Sequence, residues 1–310
     1  MPSGRNLAPD ELQALAESLQ IALLDGIARA RRWGRSELAF QGGTCLHLAY
    51  GSPRASEDLD FILASDKGLG AVMNAELARA TALLRPAAGS NAALAMKVRA
   101  EDPETGAPRN PRIYTVSFKS PDYLEAVKVK VGFWVTDPAI AAGYHSEPVI
   151  AKACVEALAR GPIKVGIEQA IIPVAKMPEI MTDKIQALAA REYLMPRDAF
   201  DLWWLSNQGL AVPDTPALRE ALTHRRTLYP DGLGSEKEVA ARLLERAQEL
   251  EVPENLAAID RDLRRWLALS GSLYLRTPEF ARAVAAKAAD IARLAASRIA
   301  PARARAKRRP

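Results

Sequence analysis

The sequence predicts an α/β (α+β) protein whose first half forms a mixed sheet with helices and whose second half is helical. Short strand-like runs of apolar or alternating residues occur at 37–41, 58–63, 93–100, 112–120 and 124–134. Beyond residue 172 these runs give way to apolar residues at the three- to four-residue spacing of amphipathic helices. We therefore predict a sheet-containing domain over 1–172, a helical domain over 173–300 and a basic tail over 301–310.

The predicted helices are placed by apolar spacing and by Gly and Pro punctuation. The first runs from Pro9 to Trp33, because leucine and isoleucine recur along it every three or four residues and Gly34 ends it. A second covers 69–85, between the second and third strands. Glycine and proline separate six further helices in the second half. These six are predicted at 178–192, 197–207, 215–226, 235–250, 254–269 and 278–299.

Composition excludes several classes of protein. With 310 residues, 49% of them hydrophobic and 25% charged, the chain can bury the cores of two ordinary domains. No apolar run approaches the roughly 20 residues of a membrane-spanning helix, and the N-terminal segment lacks the layout of a secretory signal. Two cysteines, Cys45 and Cys154, cannot form a disulfide scaffold. We therefore expect a cytoplasmic protein without a membrane partner.

The positive charge of the chain is concentrated at its end. The net charge is +5, and 301–310 holds five basic residues and no acid, so that the first 300 residues are formally neutral. Such a tail can hold nucleic-acid phosphates or can be a solvated chain end. Net charge alone therefore does not decide whether a nucleic acid is a partner.

Two aspartates in the second strand form the first candidate site. In Asp58-Leu59-Asp60-Phe61 the side chains alternate, so that both carboxylates project from one face while the apolar residues point into the core. Neighbouring carboxylates bind hard divalent cations, and Mg²⁺ is commonly held by one or two of them together with substrate phosphates. Asp58 and Asp60 are therefore the predicted metal ligands and catalytic residues, for two Mg²⁺ ions, with Mn²⁺ as the alternative metal.

A glycine-rich turn precedes these acids. Gly42-Gly43-Thr44 follows the first strand and leads into a short helix, where backbone N–H groups and a hydroxyl suit the phosphates of a nucleoside triphosphate. Gly43, Thr44 and Ser56 are the predicted nucleotide-binding residues. Taken alone, the two acids are also consistent with exposed strand positions, and the two glycines are also consistent with a hairpin turn. The combination of the two features favours a nucleotide site. No G-x-x-x-x-G-K-[ST] or H-x-x-x-H pattern occurs, which excludes a P-loop NTPase and argues against a zinc hydrolase.

The order of these features resembles the nucleotidyltransferase superfamily built like the palm of DNA polymerase β. In that order a small-residue turn is followed by thirteen further residues and then by acid–apolar–acid–apolar in a strand. More closely, QGGTCLHLAYGSPRASEDLDFIL is similar to the AbiEii/AbiGii toxin family, also typified by the mycobacterial MenT toxins. The resemblance implies a polymerase-β-like nucleotidyltransferase mixed sheet with a helical C-terminal domain. It also implies a toxin of a toxin–antitoxin or phage-defence system, with a cognate antitoxin. The implied reaction transfers NMP from an NTP to an acceptor hydroxyl, which is the tRNA 3′ end in MenT-type members.

A second block supports the same resemblance. The stretch EIMTDKIQALAAR, followed by RDAFDL, is similar to the family's helical E-x-x-x-x-K-x-x-A-L…R-D-x-x-D-L element. Lys184 is the predicted cation for the triphosphate, in both catalysis and nucleotide binding. Asp198 is a further predicted catalytic residue, since Asp198 and Asp201 share a helix face and can orient Lys184 or Arg191. Asp201 and Arg191 are secondary candidates, because a surface ion-pair network gives the same pattern.

Two departures from the family pattern bear on the chemistry. Gln41 stands before Gly-Gly-Thr, where relatives often have Lys or Arg. The strand at 126–131 offers Lys128 and Lys130 where polymerase-β-like enzymes usually supply a third carboxylate. Lys130 is a further candidate for contact with phosphate or acceptor, although both lysines also fit a solvated sheet face. Two alternatives therefore remain. The protein transfers NMP to a protein or small-molecule hydroxyl, or it is a catalytically inactive nucleotide- or RNA-binding module.

Overall fold

The computed structural model describes residues 4–30, 33, 34, 36–88, 93–101, 108–144, 173–228, 234–267, 275 and 277–300. The chain divides into two compact units, Met1–Lys176 with Trp266–Gly271, and Met177–Arg265 with Ser272–Pro310. All strands of the described residues belong to the first unit. The predicted basic tail at 301–310 lies outside the described residues.

The first unit is built on a five-stranded mixed sheet. Its strands are β1 (Leu38–Gln41), β2 (Asp58–Leu63), β3 (Ala93–Glu101), β4 (Pro108–Lys119) and β5 (Val127–Val135). The strand order is β1-β2-β5-β4-β3, in which β2 and β5 are parallel and the other neighbours antiparallel. The five predicted strands and the mixed α/β class are confirmed. β2 has a hydrogen-bonded strand on each side, which holds its side chains in defined positions.

The helices described in the first unit are α1 (Pro9–Arg29), α2 (Gly42–Leu48), α3 (Leu69–Ala88) and α4 (Pro138–Tyr144). α1 and α3 pack against each other and against the sheet. α1 does so through the predicted apolar stripe, in which Leu15, Leu19 and Leu23 are buried. α4 is absent from the sequence prediction, because its seven residues, PAIAAGY, are too few to show an apolar period.

The sheet buries one face and leaves the other partly open. β5 alternates buried valines with the exposed Lys128 and Lys130. On the buried face Phe61 stacks on Phe133 with 5.0 Å between ring centroids, and Tyr114 meets Phe133 edge-on. Burial raises the pKa of the Tyr114 phenol, so that this ring stays neutral and packs as an apolar group. The same alternation places the two aspartates of β2 on the open face.

The described regular structure in the second half of the chain is helical. The helices are α5 (Met177–Ala190), α6 (Pro196–Asn207), α7 (Thr215–Leu228), α8 (Glu236–Leu250), α9 (Pro253–Trp266) and α10 (Pro278–Ile299). α10 packs against α6, α7 and α8, and its buried alanines let the neighbouring helices approach closely. The six predicted helices are confirmed. No described helix is both long enough and apolar enough to cross a membrane.

Arg225 is a buried cation that joins α7 to α5. Its side chain is 1% exposed, and its guanidinium lies 3.0 Å from a carboxylate oxygen of Glu179 and 2.5 Å from one of Asp183. We expect Arg225→Ala to lower the free energy of unfolding by about 3 kcal/mol or more, because two carboxylates then face a space without this cation. Urea denaturation followed by circular dichroism measures the change.

Arg282→Ala is the matched control for this prediction. The Arg282 guanidinium is 63% exposed and pairs with Glu279 of the same helix at 3.6 Å. An exposed pair of this kind contributes no more than about 0.5 kcal/mol. Equal losses of unfolding free energy in the two variants would contradict the role assigned to Arg225.

Candidate active site

Asp58 and Asp60 project from the same face of β2, as the alternation predicts. Both are partly exposed, whereas Leu59 and Phe61 are completely buried. β1 and β5 flank β2 through an antiparallel and a parallel ladder. The two carboxylates therefore stand next to each other on a rigid strand, open to solvent.

Lys130 gives Asp58 a cationic neighbour. The parallel register pairs the two residues, and the Lys130 ammonium lies 3.6 Å from a carboxylate oxygen of Asp58. The lysine side chain is 50% exposed and the aspartate side chain 32%, so that water screens the pair and their attraction is weak. Such an ammonium can turn toward a phosphate when one arrives. Lys130 thus stands directly at the acid pair.

Asp60 lies between two glycines. A Cβ on residue 42 would lie 3.1 Å from Asp60 Oδ2, and a Cβ on residue 132 would lie 3.0 Å from Asp60 Oδ1. Gly42 has a φ of 81°, in the left-handed region that favours glycine. Gly132 is the partner of Asp60 in the parallel ladder. The two glycines leave the space that the carboxylate occupies, and they restrict where it can point.

Gly132→Ala is expected to lower the turnover of the enzyme by about tenfold, because the added methyl forces the Asp60 carboxylate out of position. The measurement is kcat for nucleotide transfer, accompanied by the urea midpoint. Gly143→Ala is the control, since among the described residues a Cβ added there meets no heavy atom within 4 Å beyond its chain neighbours and its own helix backbone. Parental turnover in Gly132→Ala would show that this contact does not set the position of Asp60.

The Gly-Gly-Thr turn begins α2 and packs against the loop that leads into β2. A Cβ on residue 43 would collide with Arg54 Nη2 and lie 3.2 Å from Ser56 Oγ, so that glycine leaves room for the guanidinium. Arg54 is 1% exposed. Thr44 is also buried, and its hydroxyl donates to the backbone carbonyl of Asp58. The hydroxyl predicted to bind phosphate is therefore used within the fold, whereas Ser56, in the loop that leads into β2, remains partly exposed.

In the second unit, α5 and α6 bring the other candidate residues together. The Lys184 ammonium lies 3.0 Å from Asp198 and 2.8 Å from Asp201, and Arg191 Nε lies 2.8 Å from Asp198. Both aspartates are at most 1% exposed, Lys184 is 13% exposed and Arg191 is 41% exposed. In these contacts two carboxylates face two cations, and the buried acids hold the lysine in place. Asp198 and Asp201 thus both contact Lys184, and their orienting role stays a prediction.

The donor chemistry of the acid pair fits Mg²⁺. Within the described ranges no three His, Cys, Asp or Glu side chains come together as a metal site. Two carboxylates are nevertheless sufficient, since Mg²⁺ is usually bound through one or two of them while water and substrate phosphates complete its octahedron. The pair therefore suits a metal that arrives together with its nucleotide.

The second strand of a mixed sheet carries two partly exposed aspartates beside a glycine-led helix, which is the arrangement that the resemblance to nucleotidyltransferases implies. The profile of one family, described as the nucleotidyl transferase AbiEii toxin of type IV toxin–antitoxin systems, matches residues 28–286. This match spans most of the sequence, and the chain belongs to that family. The resemblance stated from the sequence, the fold class and the enzyme class are thereby confirmed.

Two solved structures are similar to the chain at low sequence identity. JHP933 from Helicobacter pylori is 18% identical, with a TM-score of 0.47 and coverage of 93% of each chain. MenT4, a nucleotidyltransferase toxin from Mycobacterium tuberculosis H37Rv, is 16% identical, with a TM-score of 0.46 and coverage of 92% of this chain and 95% of its own. Among curated proteins no match is found.

Proposed function

We propose that the protein is a metal-dependent nucleotidyltransferase toxin that transfers NMP from an NTP to an acceptor hydroxyl at the 3′ end of tRNA. The observation that carries the proposal is the pair Asp58 and Asp60, partly exposed on one face of β2. Family membership supports the transfer reaction, the toxin activity and a cognate antitoxin. The choice of tRNA rests on the resemblance to MenT-type toxins. We assign the activity to the cytoplasm, because NTPs and tRNAs are found in that compartment.

In the proposed reaction the oxygen of the acceptor hydroxyl attacks the α-phosphorus of the NTP. A P–O bond to the acceptor forms, the bond from the α-phosphorus to its bridging oxygen breaks, and pyrophosphate leaves, while the hydroxyl proton passes to water. Asp58 and Asp60 would hold Mg²⁺ through their carboxylates. When bound, Mg²⁺ lowers the pKa of the acceptor hydroxyl and neutralises charge on the leaving pyrophosphate.

The remaining candidates take supporting roles in the proposal. Ser56 donates its hydroxyl to a phosphate, and Lys130 turns from the acid pair toward the phosphates or the acceptor. Thr44 keeps the acid strand in position through its hydrogen bond to the Asp58 carbonyl, and Gly43 stays the proposed phosphate contact of the turn. Lys184, held by two buried aspartates, supplies positive charge to the phosphates as negative charge develops in the transition state.

The proposal is tested by incubating the protein with each NTP, labelled at its α-phosphate, together with Mg²⁺, total RNA and a protein extract. The expected result is label in RNA of tRNA size, at the 3′ terminus, which EDTA abolishes. Label in protein or in a small molecule would contradict the RNA acceptor and leave the transfer reaction standing. Nucleotide binding without transfer to any acceptor, in Mg²⁺ or Mn²⁺, would contradict the enzyme itself.

A further inference from the structure

Among the described strand residues, five basic side chains lie on the open face of the sheet beside the acid pair. The strand registers place all five on the face that the aspartates of β2 occupy. We call them the basic sheet face, which consists of Lys97 and Arg99 of β3, Lys119 of β4, and Lys128 and Lys130 of β5. One row crosses four neighbouring strands, from Asp58 through Lys130 and Thr115 to Lys97. At about 4.8 Å between strands, this row spans about 14 Å.

The basic sheet face is exposed and has little negative charge of its own. All five of its side chains are exposed. Lys130 pairs with Asp58, and the other four make no side-chain hydrogen bond or ion pair within the part of the chain that the structure describes. Hydroxyl side chains such as Thr115 and Ser117 lie between them. Like charges held this close repel each other, so that the surface is complementary to an extended anion.

We propose that the basic sheet face binds the sugar–phosphate backbone of the acceptor RNA and leads its 3′ end to Asp58 and Asp60. The inference rests on the proposed function, which supplies the RNA acceptor. An RNA strand that crosses β3, β4 and β5 exchanges several of its phosphate counterions for lysine and arginine side chains, and the release of these counterions favours binding. Because the row that starts at Lys97 ends at Asp58, a strand bound along it presents its terminal hydroxyl at the acid pair.

The pattern of the charges favours RNA over a protein partner. Protein interfaces are centred on buried aromatic or aliphatic anchors and are depleted in lysine, whereas four of these five residues are lysines. Lysines on an edge strand can also serve to prevent pairing with another sheet. That explanation applies only to Lys97 and Arg99 of the edge strand β3. Lys119, Lys128 and Lys130 lie on β4 and β5, which are paired on both sides and need no such protection.

The test compares RNA binding by the parent protein and by the triple variant Lys97→Ala, Arg99→Ala, Lys128→Ala. The probe is a fluorescein-labelled single-stranded RNA of about 20 nucleotides with a free 3′ hydroxyl, titrated at salt concentrations from about 50 to 200 mM. Loss of three phosphate contacts is expected to raise Kd by about tenfold or more and to reduce the salt slope of log K by about 2. Binding of Mg²⁺–NTP is expected to keep its parental Kd.

The matched control removes the same types of charge elsewhere. Lys237→Ala, Arg261→Ala, Lys287→Ala changes two lysines and one arginine that are exposed on α8, α9 and α10. The inference would be overturned if the sheet-face variant kept the RNA affinity and salt slope of the parent, or if both triple variants lost RNA affinity equally. It would also be overturned if the parent did not bind the probe. Failure of the proposed function is seen separately, as absence of label transfer from any NTP to RNA by the parent.

Discussion

Asp58→Asn and Asp60→Asn are each expected to lower the rate of NMP transfer by about 10³-fold or more. The amide keeps the shape of the side chain but removes the charge through which it would hold Mg²⁺. Metal assistance to phosphoryl transfer is worth several kcal/mol, and each factor of ten in rate corresponds to about 1.4 kcal/mol. Because both side chains are partly exposed, the fold should be retained. Initial rates of label transfer at saturating NTP, with urea midpoints for both variants, provide the measurement.

Asp66→Asn is the control for the acid-pair variants. Asp66 is an exposed aspartate of the same unit that pairs with Arg112 at 2.7 Å, and its substitution should leave the transfer rate unchanged. Growth of cells that express each protein gives a second readout. The parent and Asp66→Asn should arrest growth, whereas Asp58→Asn and Asp60→Asn should permit it. An acid-pair variant as toxic as the parent would count against a catalytic toxin.

Most of the secondary structure could be predicted because its signals are local. The alternation of valine and lysine in β5 and the leucine stripe of α1 each lie within one element, and neither depends on the rest of the fold. The exceptions also have local causes. β4 begins at Pro108 rather than at the predicted residue 112, since Pro108 and Pro111 disfavour a strand in any local reading. Its pairing with β3, in which Pro108 is the partner of Glu101, overrides that preference.

The acid pair could be predicted from one strand, but its surroundings could not. Lys130 and Gly132 reach Asp58 and Asp60 through the parallel β2–β5 register, and a shift of one residue would turn both away from the acids. Nothing within either strand specifies that register. Thr44 shows the same limit, because its hydroxyl suits a phosphate chemically, and only the folded chain shows that it donates to a backbone carbonyl.

Lys184→Met is expected to lower NMP transfer by about 10²-fold or more and to destabilise the second unit by about 3–5 kcal/mol. The ammonium lies 3.0 Å from Asp198 and 2.8 Å from Asp201, and its removal takes a cation away from two buried carboxylates. The activity of this variant therefore reports two effects together, the loss of a cation for the phosphates and the weakening of the fold. Transfer rates and urea midpoints must both be measured.

The double variant Lys184→Met, Asp201→Asn separates these effects. It removes one positive and one negative charge, so that the net charge of the cluster does not change, and neutral replacements of a buried ion pair often preserve stability. The urea midpoint is therefore expected to return close to the parental value while transfer stays about 10²-fold low. Recovery of transfer together with stability would make Lys184 a structural residue. We expect transfer to stay low, because Lys184 of the parent is partly exposed and can reach a phosphate, which methionine cannot bind. Arg191 pairs with Asp198 and so compensates the remaining carboxylate in the double variant.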